Sequence, residues 1–136
     1  MFNRNKLVCR SRSLFTVNDP VSLSSALQKT RDKLESASIP EAEISSRFLI
    51  SQVLGETSPN GYLNHEDRLL ETGELTELNR ILSCRLARVP VQYIAGTWDF
   101  RQICLKVRPP VFIPRVETEQ LVDIVLNNLP TKDNVR

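Results

Sequence analysis

The apolar residues of this chain change period at Pro90, and that change constrains the fold more than any other feature. Upstream of it they recur every three or four residues, which is the repeat of a helix buried along one face. Downstream they alternate with polar residues, which is the repeat of a strand. A small helical assembly followed by a short β element is therefore the architecture to expect.

The helical part divides at its punctuation. Asp19-Pro20 has the form of an N-cap followed by proline at the first helical position. Leu23, Ala26, Leu27, Thr30, Leu34 and Ala37 then make one apolar face. Ile39-Pro40 ends that element, and Pro40 can start the next. Ala42, Ile44, Phe48, Leu49, Val53 and Leu54 form a second face, with Gly55 as its C-terminal stop. Tyr62, Leu63, Leu69 and Leu70 predict short or irregular helix. Leu75, Leu78, Ile81, Leu82 and Leu86 mark a third long helix from Glu74, closed before Val89-Pro90. Loops of a few residues between such helices predict a small bundle.

After Pro90 the alternation runs through Val91, Tyr93 and Ala95, breaks at Gly96, and resumes at Trp98 and Phe100. Ile103, Leu105 and Val107 continue it beyond a turn at Arg101-Gln102, so a hairpin is expected, although without the glycine that the tightest turns prefer. Pro109-Pro110 ends the hairpin. Val111 to Ile113 reads as a short extended run closed by Pro114. A last helix carries Leu121, Val122, Val125, Leu126 and Leu129 on one face and is stopped by Pro130. Glu117 and Glu119 lie in its first turn, where the helix dipole favours carboxylates.

The 136 residues are 40% apolar and 25% charged, an ordinary globular composition. No apolar run approaches the length of a membrane span. The net charge of +2 is unevenly placed. Arg4, Lys6, Arg10 and Arg12 fall in the first 18 residues, which hold no acid. Without them 14 basic residues face 16 acidic ones, a net of −2. Such a body is poorly suited to nucleic acid, whose phosphates require clustered Lys and Arg. The segment 1–18, Arg-bearing and Ser-containing with interspersed apolar residues, has the composition of a mitochondrial transit peptide; a basic tail without an address is the alternative.

Few residues offer chemistry. Cys9, Cys84 and Cys104 are odd in number and far apart, which fits neither a disulfide framework nor a zinc spacing, and they read as buried or incidental thiols. His65 has no nucleophile or metal partner at a diagnostic spacing and reads as solvated. The glycines Gly55, Gly61, Gly73 and Gly96 are isolated, so they form no phosphate or nucleoside cradle. Glu117 and Glu119, two apart, do not face each other on a helix. Arg80, Arg85, Arg88, Arg101, Lys106 and Arg108 read either as a partner-facing surface or as a solvated helix face with charged hairpin edges.

One stretch is more specific. Pro90-Val91-Gln92-Tyr93-Ile94-Ala95-Gly96, Trp98-Asp99-Phe100, Val107, and Phe112-Ile113-Pro114-Arg115-Val116-Glu117-Thr118-Glu119 with Leu121-Val122 resemble, in order and spacing, the release factor glutamine methyltransferase family (HemK/PrmC). With weaker support from the helical region, the resemblance covers about residues 20 to 129. It implies a mainly α chain: a transit segment at 1–18, a helical release-factor-recognition domain at 19–89, a β-hairpin linker at 90–110, and at 111–136 the first helix of a truncated Rossmann-like methyltransferase domain. Family members transfer a methyl group from S-adenosylmethionine to the side-chain amide nitrogen of the glutamine in the Gly-Gly-Gln tip of peptide chain release factors, the proteins of translation termination. By position, Phe112, Ile113, Pro114, Arg115, Glu117 and Thr118 would line or support the cofactor side; they could equally serve only to dock the last helix.

Val116 stands where the family has proline, which makes the start of the helix less rigid. The family's glycine-rich cofactor loop and Asn-Pro-Pro-Tyr motif have no counterpart in the sequence, which lacks any Asn-Pro dipeptide. The expectation is a monomeric part of a matrix methyltransferase that neither binds S-adenosylmethionine nor catalyses by itself, with no catalytic residue, metal, nucleic acid or membrane. A stand-alone module that holds a release factor, and an unrelated helical adaptor, are the alternatives.

Overall fold

The computed structural model describes Cys9, residues 13–16 and residues 18–129. The rest of the expected transit segment, and Pro130, lie outside the described residues. The protein is mainly helical, and its described residues fall into two compact units that divide between Ala95 and Gly96.

The first unit is built on α1 (Leu23–Ser36), α2 (Ala42–Val53), α3 (Thr72–Leu86) and the short α4 (Val91–Ala95). Leu23, Ala26, Thr30 and Leu34 of α1 are buried, as their spacing predicts. The helix begins later than Asp19-Pro20 implies. Ser22 is its N-cap, its hydroxyl accepting from Ser25 N at 3.3 Å. Tertiary contacts hold the preceding residues out of the helix. Leu70 N donates to Val21 O and Leu23 N to Arg68 O, both at 2.8 Å, around an antiparallel bridge between Ser22 and Leu69. Leu69 and Leu70 are accordingly not helical; only Gly61–Asn64 forms a 3-10 turn.

The Asp67 carboxylate completes the α1 terminus from far along the chain, accepting from Ser24 N at 3.0 Å and Ser24 Oγ at 2.8 Å. Those two hydrogen bonds hold its pKa below the usual carboxylate value.

α2 is the central helix, touching α1, α3 and α4. It therefore buries more than one stripe: Phe48, Leu49 and Ile50 with Ala42, Ser45, Ser46 and Ser51. Small side chains let its neighbours approach on the added sides. Ile44, expected in the core, is exposed. Gly55 adopts φ +80° just beyond the helix, the left-handed stop expected of it.

α3 buries Leu75, Leu78, Ile81, Leu82 and Cys84. It starts two residues before Glu74, because Glu74 is the third residue of a capping box: its carboxylate accepts from Glu71 N at 2.8 Å. The same carboxylate takes two hydrogen bonds from the Arg68 guanidinium, at 2.6 and 2.9 Å. Arg68 first, and the Glu71 N–H after it, lower the Glu74 pKa. A carboxylate with a depressed folded pKa stabilises above its unfolded pKa, and that contribution is lost as pH falls through the folded value. Glu74→Gln, which keeps the cap geometry but loses the charge, is expected to cost about 0.5–1 kcal/mol at pH 7. In urea titrations the gap should narrow as the pH falls from neutral through the depressed folded value of Glu74 and vanish once the carboxylate is protonated in both states; a gap unchanged down to the acid unfolding limit would contradict this.

Residues 91–95 correct the strand reading. They form α4, with Tyr93 N and Ile94 N donating to Pro90 O at 3.1 and 3.2 Å. Pro90 carries the φ that begins a helix, and Gly96, at φ +76°, ends it. Alternation over five residues is too short to outweigh those two signals.

The second unit holds β1 (Thr97–Phe100), β2 (Ile103–Lys106) and α5 (Val116–Asn128). The strands pair antiparallel, Trp98 opposite Leu105 and Phe100 opposite Ile103, about the expected turn. Arg101 takes a left-handed φ of +53° where tight hairpins favour glycine. Val107 N donates to Gly96 O at 3.0 Å, extending the ladder. Val111 to Ile113 are not in a strand; Val111 N donates to Arg108 O at 2.8 Å.

Candidate functional site

The six residues singled out for the cofactor side form one continuous stretch on the approach to α5 and its first turn. Phe112 is 70% exposed. Ile113 and Pro114 are half-buried, and Arg115, Glu117 and Thr118 are exposed. Arg115 is the N-cap: its carbonyl accepts from Thr118 N at 3.0 Å, and its side chain makes no capping bond. No residue of α5 is buried, and Leu121, Val125 and Leu129 of its apolar face are about half exposed. The stretch thus presents an aromatic ring, a guanidinium, a carboxylate and the start of a helix to its surroundings.

The pairing that fixes this helix in its own unit was not read from the sequence. Glu119 accepts from Arg101 N at 3.0 Å, and the Arg101 guanidinium pairs with Asp123 at 2.5 Å. Glu119 and Asp123 are four apart and share one side of α5. The hairpin tip sits on that side, and the strained turn at Arg101 is braced by both acids. The readable signal was an i, i+4 acid pair downstream of a turn with arginine where glycine is usual.

The basic residues are largely committed inside the fold. Arg80 makes two hydrogen bonds of 2.8 Å to Glu77. Arg85 donates to Ser45 Oγ at 3.1 Å and to Pro40 O and Val89 O at 3.3 Å. Burial lowers its pKa. Arg88 donates to Ser38 O at 3.3 Å. Arg85 and Arg88 therefore staple the end of α3 to the α1–α2 connection. They are thus not merely solvated. Short loops leave carbonyls uncapped, and arginine reaches several at once.

His65 is half-buried rather than solvated, its Nε2 3.0 Å from Glu56 Oε1. The Glu56 side chain lies directly over Gly61, where a Cβ would collide with the Glu56 Cβ. Cys104 is exposed and Cys84 buried. Burial first, and a hydrogen bond with the Cys9 side chain after it, push the Cys84 thiol up to about 12. Such a thiol is a poor nucleophile. Among the described residues no group of three metal-capable side chains converges, and no helix is long and apolar enough to cross a membrane.

A family model described as the PrmC N-terminal domain matches residues 25–96. The chain is 41% identical over 101 residues to the MTRF1L release factor glutamine methyltransferase of Homo sapiens, across 74% of this chain and 30% of the relative. It is 32% identical over 108 residues to the release factor glutamine methyltransferase of Vibrio cholerae, across 79% of this chain and 37% of the relative. For the release factor glutamine methyltransferase of Caulobacter vibrioides the figures are 33% over 110 residues, 81% and 38%. The chain thus spans between 30% and 38% of the length of these relatives.

Proposed function

This chain belongs to the release factor glutamine methyltransferase family through its PrmC N-terminal domain, and from that premise we propose that its helical unit holds a peptide chain release factor as protein substrate. The observation that carries the reading is the coincidence of two boundaries. The family match covers residues 25–96, and the helical unit runs to Ala95. The matched segment thus falls within one compact unit that has its own core. That same compactness favours the second reading, a stand-alone module that binds a release factor without modifying it.

Methyl transfer to the glutamine of a Gly-Gly-Gln tip belongs, on this proposal, to the part of the relatives' length that the chain does not match. S-adenosylmethionine supplies the methyl group there. Phe112, Ile113, Pro114, Arg115, Glu117 and Thr118 fit one edge of its pocket. Arg115 complements the carboxylate of its amino-acid tail and Glu117 the ammonium group, and the start of α5 offers unpaired N–H groups. One edge is too little to hold a ligand of that size, which pockets enclose on most sides. The basic, acid-free residues 1–18 support import into the mitochondrial matrix.

Calorimetry of the purified chain tests this directly. Binding to a mitochondrial release factor is expected, with no heat from S-adenosylmethionine and no methylation of the factor. Absence of release-factor binding would overturn the recognition role. Turnover by this chain would overturn the assignment of chemistry to the unmatched part.

A further inference from the structure

Asn79, in the middle of α3, uses its whole side-chain amide on the N-terminal segment. Its Oδ1 accepts from Leu14 N and from Phe15 N, both at 3.0 Å, and its Nδ2 donates to Phe15 O at 2.8 Å. One amide thereby satisfies two consecutive backbone donors and an acceptor, as a neighbouring strand would. The Phe15 ring is 2% exposed, one of the few large aromatic side chains in the core. Asp19 N donates to Thr16 O at 3.1 Å, turning the chain toward α1. The contact joins residues 64 and 65 positions apart, and its register is fixed because only Phe15 fills the buried place.

We propose that Leu14–Thr16 are a permanent strap of the helical unit and that the removable leader ends before Leu14. The second half rests on the import reading given above; the first does not. Processing is hydrolysis by an endopeptidase. Water adds across one peptide bond, leaving a carboxylate on the released leader and a new amino group on the retained chain. A cut after Phe15 would empty the space of a phenylalanine and leave the half-buried Asn79 amide without its three partners, both of which destabilise. A cut before Leu14 leaves every one of these contacts in place. Leu14 and Phe15 thus belong to the body, even though their apolar character contributes to the leader-like composition of residues 1–18.

Two measurements test the strap and the cut separately. Thermal melts would compare the full chain with variants lacking residues 1–12 or 1–15, and with Asn79→Ala and Phe15→Ala in the full chain. Loss of 1–12 should leave the midpoint within about 2 °C, and the other three changes should each lower it by about 5 °C or more. Equal midpoints for all five would overturn the strap. Import into isolated mitochondria, followed by mass spectrometry of the mature N-terminus, locates the cut. A terminus at or before Leu14 is expected, and one at or beyond Phe15 would overturn the proposal. A chain that is not imported would refute the import reading, with the melts still deciding the strap.

Discussion

Replacing Leu49 with alanine is expected to destabilise the helical unit by about 2–5 kcal/mol. Leu49 is fully buried on α2, the helix that α1, α3 and α4 all touch. The loss combines the transfer free energy of the deleted carbons with the cost of a cavity that cannot collapse, since helices confine it on several sides. For a unit of this size a change of that magnitude corresponds to a fall of about 10–30 °C in Tm, which approaches complete unfolding. Thr30→Val in the same core should act in the opposite direction. Among the described residues, Thr30 Oγ1 is the one buried side-chain polar atom without a hydrogen-bond partner. Replacing its hydroxyl with a methyl group removes an uncompensated desolvation cost of about 1 kcal/mol or more. Urea denaturation of both variants checks the pair. A loss below about 1 kcal/mol for Leu49→Ala would mean that the bundle is not the cooperative core described.

The second large effect is a contrast in amide exchange. Amides of α1, α2 and α3 should be protected, and those of α5 should exchange at least about a thousandfold faster. Exchange reports the free energy of opening, and each 1.4 kcal/mol corresponds to about a factor of ten. α1 and α3 hold rows of buried leucines, whereas α5 buries no residue. Leaving Leu121, Val125 and Leu129 half exposed forgoes part of the roughly 1.5–3 kcal/mol available to each on full burial. The Arg101 contacts with Glu119 and Asp123 are partly exposed and offset little of that. Mass-spectrometric exchange with peptide-level resolution would read the contrast directly. Uniform protection from α1 to α5 would overturn it.

The periodic parts of the fold were legible because periodicity is a local property. The buried rows of α1 and α3, the stop at Gly55, the hairpin turned at Arg101-Gln102 and the existence of α5 all follow from spacing and from the backbone preferences of glycine and proline. Where spacing and punctuation disagreed, as in residues 91–95, punctuation prevailed: a proline that begins a helix and a left-handed glycine that ends one outweighed a brief alternation. Ile44 was misplaced because a one-stripe pattern describes a helix at the edge of a bundle, whereas α2 lies at its centre. The stretch from Phe112 to Glu119 was found as a motif, but the pairing of Glu119 and Asp123 with Arg101 was not. Nothing in the order of residues announces that a hairpin tip will dock on a particular pair of acids.

The sequence by itself determined the three long helices of the first unit and the last helix, where the hairpin turns and to which family the chain belongs, because these depend on neighbours within a few residues and on an ordered motif. Only the tertiary structure decided that α1 starts at Leu23, that Asp67 caps it, that Arg85 and Arg88 bind loop carbonyls and that Phe15 is core. Each of those outcomes involves a hydrogen bond between residues 43 to 64 positions apart. Such contacts form only after the helices have packed, and they then satisfy polar groups that the helix ends and short loops leave open.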